Sequence, residues 1–213
     1  MKIQTFQFNL FDVNTYVVWN QATLEAAIVD PGMSTPEEEQ ELVEFISRNR
    51  LQVTALLNTH LHIDHTLGDE FVEERYGVGL EAASADEFLG QNRAAQAQMF
   101  HMRMRDPSPL HVDVQVKAGD KIYLGEEYLE ALAVPGHSPG SLAFYAPSGG
   151  FVITGDALFN GSIGRTDLPG GNHQQLINAI QDSILTLPDA TVVYPGHGPS
   201  TTVEAEKEGN PFL

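Results

Sequence analysis

The stretch Thr59-His60-Leu61-His62-Ile63-Asp64-His65 puts three imidazoles and a carboxylate into six positions. It follows Val53-Thr54-Ala55-Leu56-Leu57, an apolar run that predicts a buried strand. Imidazole nitrogen and carboxylate oxygen are ligands for zinc, iron and manganese. Packing at the end of a buried strand calls for none of them. The segment therefore reads as half of a metal site, and of one built for two metals.

The other half lies far along the chain. His137 and His197 sit in near-copies of one motif, Val134-Pro135-Gly136-His137-Ser138-Pro139-Gly140 and Tyr194-Pro195-Gly196-His197-Gly198-Pro199. Each follows a predicted strand, and Pro-Gly forces a tight turn that leaves the imidazole projecting from the sheet edge. Ile153-Thr154-Gly155-Asp156 repeats the arrangement with a carboxylate. His60 and His62, two apart in extended backbone, point to the same side and grip one metal. His137 supplies its third nitrogen. Asp64, His65 and His197 hold a second metal, and Asp156 bridges the two. Metals about 3.5 Å apart make a shared water acidic enough to be hydroxide near neutral pH.

Elements must deliver these side chains to one place. Ile3 to Phe8, Thr15 to Trp19 and Ala26 to Val29 predict a meander of strands, broken by Asn20-Gln21 and Asp30-Pro31-Gly32. Thr35 caps a helix whose first turn is Pro36-Glu37-Glu38-Glu39 and whose apolar face is Leu42, Val43, Phe45 and Ile46. Asp64 or Thr66 opens the next helix, which runs to about Tyr76 and stops at Gly77. Ser84-Ala85-Asp86-Glu87 has the form of a capping box and predicts a helix towards Arg105. Strands follow at Val112 to Val116, Lys121 to Leu124, Leu129 to Val134, Leu142 to Tyr145 and Phe151 to Ile153. Asn172 caps a helix from His173 to Leu187, Thr191 to Tyr194 is a last strand, and the polar tail after Thr201 is a short helix that frays. This order predicts two sheets packed face to face with helices outside, in one domain over residues 1–213.

Composition narrows the partners. The net charge of -18 opposes nucleic acid, which needs a basic face to displace counterions, and anionic membrane surfaces as well. The 213 residues contain no cysteine, so disulfides and thiolate ligands are excluded. The polar-interrupted N-terminus lacks the core of a signal peptide. No run spans a bilayer, and the expected location is cytoplasmic.

With the ligand set assembled, the chain resembles the metallo-β-lactamase-fold hydrolases. His60-x-His62-x-Asp64-His65, His137, Asp156 and His197 match that superfamily's ligands one by one and in order, and Val29-Asp30-Pro31-Gly32 matches its early aspartate turn. The resemblance implies a four-layer αβ/βα sandwich, an α/β fold with the metals at one edge between the sheets. Within the superfamily the stretch Gly155 to Asn172 is most similar to short bacterial glyoxalase II-like proteins, which implies a thioester hydrolase acting on S-lactoylglutathione-like hydroxyacyl thiols. Asp64 and Asp156 are then the catalytic carboxylates that fix the nucleophile. Full-length glyoxalase II carries a C-terminal helical domain, and only Ser200 to Leu213 follow the last ligand motif here. Persulfide dioxygenases share a Gly-Arg-Thr-Asp stretch but use one iron, and lactonases also use this fold; both are alternatives. True β-lactamases, many with a cysteine ligand, are expected to be less similar. The expected cofactors are two divalent metals, zinc first, with iron or manganese as alternatives. The expected substrate is a small-molecule thioester, and the chain is a monomer or homodimer.

Several residues carry two readings. Arg165 either steers a substrate carboxylate or, as expected, pairs locally with Asp167. Asp30 either supports a ligand loop or simply makes an Asp-Pro-Gly turn. Arg93, Arg103 and Arg105 are expected on a solvated helix face, and Met99, Phe100, Met102 and Met104 in core or dimer packing rather than as a substrate lip. His101, His111 and His173 lack ligand context and read as surface or capping residues. Tyr145 reads as a packed strand residue.

Overall fold

The computed structural model describes residues 1–102 and 104–213; Arg103 lies outside them. Alternation of apolar residues builds the first sheet from β1 (Lys2–Phe8), β2 (Val13–Trp19) and β3 (Glu25–Val29). Helix α1 (Pro36–Arg48) then crosses to β4 (Gln52–Leu57), which pairs in parallel with β3, Ile28 opposite Leu56 and Val29 opposite Leu57. Thr35 and Glu38 form the reciprocal cap of α1, as its residues predict. Helix α2 (Asp69–Tyr76), β5 (Leu80–Ala82), α3 (Glu87–Gln91), α4 (Arg93–Phe100) and β6 (Val114–Gln115) complete this half. The sheet order is β1-β2-β3-β4-β5-β6.

The second half runs β7 (Lys121–Leu124), β8 (Glu127–Ala133), β9 (Leu142–Ala146) and β10 (Phe151–Gly155). A small hairpin of β11 (Leu158–Phe159) and β12 (Ser162–Ile163) follows. Then come α5 (His173–Ala179), β13 (Val192–Pro195), β14 (Thr201–Thr202) and α6 (Val203–Gly209). The order of this sheet is β14-β13-β10-β9-β8-β7, with β10 and β13 parallel.

Period-two alternation sorts the strand side chains into layers. Tyr16, Val18, Ala27, Val29 and Leu57 meet Leu129, Ala131, Phe144 and Ile153 between the sheets. Val17, Ile28 and Leu56 face outward onto Leu42, Ile46 and Val72 of α1 and α2. Ala143, Val152 and Val193 face the other way, onto Leu176 and Val203. Helix, sheet, sheet, helix is the expected four-layer sandwich, and burying each large aliphatic side chain contributes about 1.5–3 kcal/mol.

Some expected boundaries move. Asp64 and His65 occupy a single 3-10 turn, Ile63–His65. The Gly68 amide is taken by the Pro31 carbonyl at 2.7 Å, and α2 starts only at Asp69. The capping box at Ser84 does not form; Asp86, the residue inside it, is buried and bonded elsewhere. The strand expected at Val112 to Val116 reduces to two residues, and the short strand β5 goes unannounced by its sequence. The helix from Asn172 is α-helical to Ala179 and then widens into a π turn, Ile180–Ile184. A wider turn keeps Leu176, Ile180 and Ile184, spaced by four, on one buried line. The tail forms the expected short helix, α6, and is tied to the rest of the chain. Glu206 of α6 is buried and accepts from the Gly161 amide at 3.1 Å and the Thr201 hydroxyl at 2.7 Å.

Candidate metal centre

Strand direction gathers the predicted ligands. β3, β4 and β5 run parallel, as do β10 and β13, and β8 shares their direction across antiparallel β9. Asp30, the His60–His65 segment, His137, Asp156 and His197 all follow the carboxyl ends of these strands. The loops of the two sheets are tied across the gap. The Leu142 amide donates to the Thr59 carbonyl at 2.8 Å, and the Asn14 amide donates to the Gly196 carbonyl at 2.8 Å.

All seven predicted ligands come together. His60, His62 and His137 form one group, and Asp64, His65 and His197 another; the donor atoms in each lie within 4.8 Å of one another. Asp156 stands between the groups. Its Oδ1 is 3.4 Å from His65 Nε2, and its Oδ2 is 3.6 Å from both His137 Nε2 and His197 Nε2. His60, His65 and Asp156 make a third, overlapping group at the seam.

Hydrogen bonds on the far side of each ring decide which nitrogen faces inward. His137 Nδ1 donates to the Arg165 carbonyl at 2.8 Å, and His197 Nδ1 to the Phe11 carbonyl at 2.9 Å. His65 Nδ1 donates to Asp30 Oδ2 at 3.1 Å. The Thr59 hydroxyl donates to Asp30 at 2.6 Å and so accepts from His60 Nδ1 at 3.0 Å. His60, His65, His137 and His197 thus turn Nε2 to the cleft, where His62 Nδ1 lies 2.8 Å from His137 Nε2. His60 Nε2 and His137 Nε2 lie only 3.2 Å apart. Among the described residues, His65 Nε2 and Asp156 Oδ1 are buried with no hydrogen-bond partner. Imidazole nitrogens and carboxylate oxygens gathered this closely suit a cation among them. The donor set, nitrogen and oxygen without sulfur, fits divalent zinc, iron or manganese.

The electrostatics make the same demand. Burial, with His65, His137 and His62 around it, holds His60 well below the usual imidazole range. Burial likewise pushes His62 down to about 4. His65 is equally buried, yet Asp64, Asp156 and Asp30 outweigh that burial and hold it well above its ordinary value. Burial opposes ionisation of Asp156, but His65, His60 and His197 keep its carboxyl well below the usual range. The second group therefore attracts positive charge, which a divalent ion would supply.

Glycine at the Pro-Gly-His turns has a steric cause. A Cβ on Gly196 would collide with Asp156 Oδ1 and lie 2.8 Å from His65 Cε1. Gly136 has φ +136°, and its missing side chain admits the start of α5 at Leu176.

Around the centre, Arg165 and Asp167 form the expected ion pair, Nε to Oδ1 at 2.7 Å and a terminal nitrogen to Oδ2 at 2.8 Å. Asp30 takes its supporting role: besides His65 and the Thr59 hydroxyl it accepts the Thr59 amide at 2.7 Å. Arg93 corrects the expectation of a solvated face. It is buried, bonded to Glu70 and 3.1 Å from the Thr66 carbonyl. Arg105 does lie on a solvated face, beside Glu74 and Glu39. Phe100 and Met102 line the cleft as a lip, whereas Met104 packs with Ile63 and Leu67 and Met99 is exposed. His101, His111 and His173 are on the surface.

Two supports had no sequence signal of their own. Asp86 accepts from the Ser138 hydroxyl and the Gly140 amide, both at 2.6 Å, and so braces the His137 turn. Asn9, in the left-handed region at φ 55°, donates to the carbonyls of Gly32 and Asp64.

Comparison with known proteins agrees with this geometry. The Metallo-beta-lactamase superfamily model matches residues 9–197. The hydroxyacylglutathione hydrolase GloC of Haemophilus influenzae is 34% identical over 100% of this chain and 98% of its own. The probable metallo-hydrolase YqgX of Bacillus subtilis is 36% identical over 89% and 87%. Among solved structures, TTHA1623 in a di-iron-bound form superposes with a TM-score of 0.86 at 33% identity, covering 99% of this chain and 100% of that one. The B3 metallo-beta-lactamase BLEG-1 superposes with 0.87 at 30% identity, covering 100% and 99%. Matching over nearly its whole length, with the ligand loops inside the matched span, this chain belongs to the metallo-beta-lactamase superfamily.

Proposed function

We propose that the chain is a metal-dependent hydrolase that cleaves acyl thioesters in the manner of a hydroxyacylglutathione hydrolase. The observation that carries this reading is Asp156, set between two ligand groups at the floor of one cleft. The likeness to GloC supports the thioester part.

His60, His62 and His137 would hold one cation and Asp64, His65 and His197 the other, with Asp156 between them. A bound divalent pair supplies Lewis acidity for the carbonyl and an acidified water as nucleophile. The residues of the chain do the rest. Asp30, the Arg165 carbonyl and the Phe11 carbonyl hold the Nδ1 protons and keep each Nε2 aimed inward. Asp64 and Asp156 orient the attacking water, and either carboxylate accepts a proton as the C–S bond breaks. Phe11, Phe100 and Met102 give the cleft an apolar wall.

The test is metal analysis of the purified protein coupled to a thioester panel that includes S-lactoylglutathione and other thiol carriers. Two metals per chain and turnover lost in His60→Ala and Asp156→Ala support the reading. Undiminished turnover after metal removal would end it. So would a single iron with oxygen uptake on persulfides.

A further inference from the structure

Resting on that reading, we propose that the preferred substrate is a thioester bearing an apolar chain and no net negative charge, rather than an anionic peptide thiol ester. The cleft above the metal centre has a volume of about 430 Å³ and suits a small molecule. Its floor is His62, Asp64, His137, Asp156 and His197. Its walls are Phe11, Phe100, Met102, Phe159, Ile163 and Leu168. Among the described residues, Arg165 is the single lysine or arginine on this lining, and Asp167 holds it through two hydrogen bonds. Beyond the metal centre itself, an anionic carrier would find no unpaired lysine or arginine among the described residues of this lining. The net charge of -18 repels it further.

The wall is built together with the floor. The rings of Phe11 and Phe100 meet edge to face at 6.0 Å and join the β1–β2 turn to the end of α4. The Phe11 carbonyl also holds His197, and Asn9 pins the same turn to the Asp64 carbonyl. Phe159 stands edge-on to His197 at 6.2 Å. An apolar chain held in this slot would lie next to the ligands on its floor. Water then adds to the acyl carbon, the C–S bond breaks with its electron pair on sulfur, and the proton released from water goes to the thiolate or to solvent.

The experiment uses the full chain loaded with zinc. One arm measures kcat/KM for acetyl to octanoyl thioesters of N-acetylcysteamine and of glutathione, and a second varies the alkyl thiol on a fixed acetyl group. A third measures binding of non-hydrolysable S-alkyl thioethers by calorimetry, with and without metal. The expected result is a gain of roughly two- to fourfold per methylene in whichever arm extends the chain into the slot, matched in the thioether affinities. The neutral carrier should exceed glutathione by about tenfold or more. Phe100→Ala and Leu168→Ala should each flatten the slope, with folding of both checked by circular dichroism. Turnover without any chain-length slope, or glutathione esters cleaved as well as neutral ones, would overturn this inference and leave the thioesterase reading intact. A binding slope with no thioester cleaved would overturn the thioesterase reading and keep the apolar ligand class.

Discussion

The buried carboxylate of Asp30 accepts the Nδ1 proton of His65 at 3.1 Å, and so decides that Nε2 of that ring faces the cleft. The same carboxylate takes the amide and the hydroxyl of Thr59, the residue before His60. One turn on β3 thereby orients ligands of both groups.

Asp30→Asn puts an amide NH2 against donors it cannot accept from. Metal affinity should fall by about 10–100-fold while the fold persists, because outer supports of ligands act on this scale. Competition with a chromophoric chelator measures it. Unchanged affinity would remove Asp30 from the role.

His60 Nε2 lies 3.2 Å and His62 Nδ1 2.8 Å from His137 Nε2, a cluster of nitrogens that a bound cation should stabilise. Ligand present at a hundredfold over its Kd stabilises by about 2.7 kcal/mol. For a chain of this size that corresponds to about 5–10 °C in Tm. Calorimetry before and after chelation should show a loss of that order, restored by zinc, iron or manganese. An unchanged Tm would contradict cation binding at these groups.

Gly196→Ala drives a methyl into Asp156 and against His65. Displacing a catalytic carboxylate by about 1 Å costs on the order of a hundredfold in rate. The variant should lose turnover on that scale and bind less metal per chain, with its far-ultraviolet circular dichroism unchanged. Wild-type metal content and turnover would show that the turn can move aside.

Asp69 is wholly buried, with Asn58 and Arg93 as polar neighbours. Burial raises its carboxyl well above the usual range, and the Arg93 guanidinium only partly opposes this. The unfolded chain releases this proton near pH 4. Above that pH the folded state holds more protons than the unfolded one, so this group's contribution, intact below pH 4, is lost as pH rises through the folded value. Asp69→Asn removes the dependence. Its stability gain over wild type should be near nil around pH 3.5 and widen towards neutral pH in urea titrations. A gain independent of pH would show that Asp69 titrates normally.

The candidate ligand set was legible in the sequence because metal chemistry restricts residue types. His60, His62, Asp64 and His65 declare themselves by density, and His137, Asp156 and His197 by following strand-and-turn patterns that are local. The layers were legible for the same reason: alternation at Val17, Val18, Ile28, Leu56 and Leu57 is a local record of which face is buried. The supports were not legible. Asp86 has the local form of a capping-box residue, yet it bonds to a turn 52 residues away, and no neighbour in sequence signals that. Arg93 has the form of a surface arginine, but α4 packs it over the Thr66 carbonyl. Glu206 has the form of a solvated tail residue, but it secures the hairpin at Gly161.

Residue types and local spacing alone determined that nitrogen and oxygen ligands stand at strand ends, in a layered α/β chain. Only the tertiary structure decided which nitrogen of each imidazole faces inward, that Asp156 lies between the groups, and that the cleft above them is walled by Phe11 and Phe100. The physical reason is range. Ligand chemistry and strand period are written within a few residues, whereas a hydrogen bond that fixes a ring, or a contact that closes a wall, joins segments far apart in the chain and exists only once the sheets have packed.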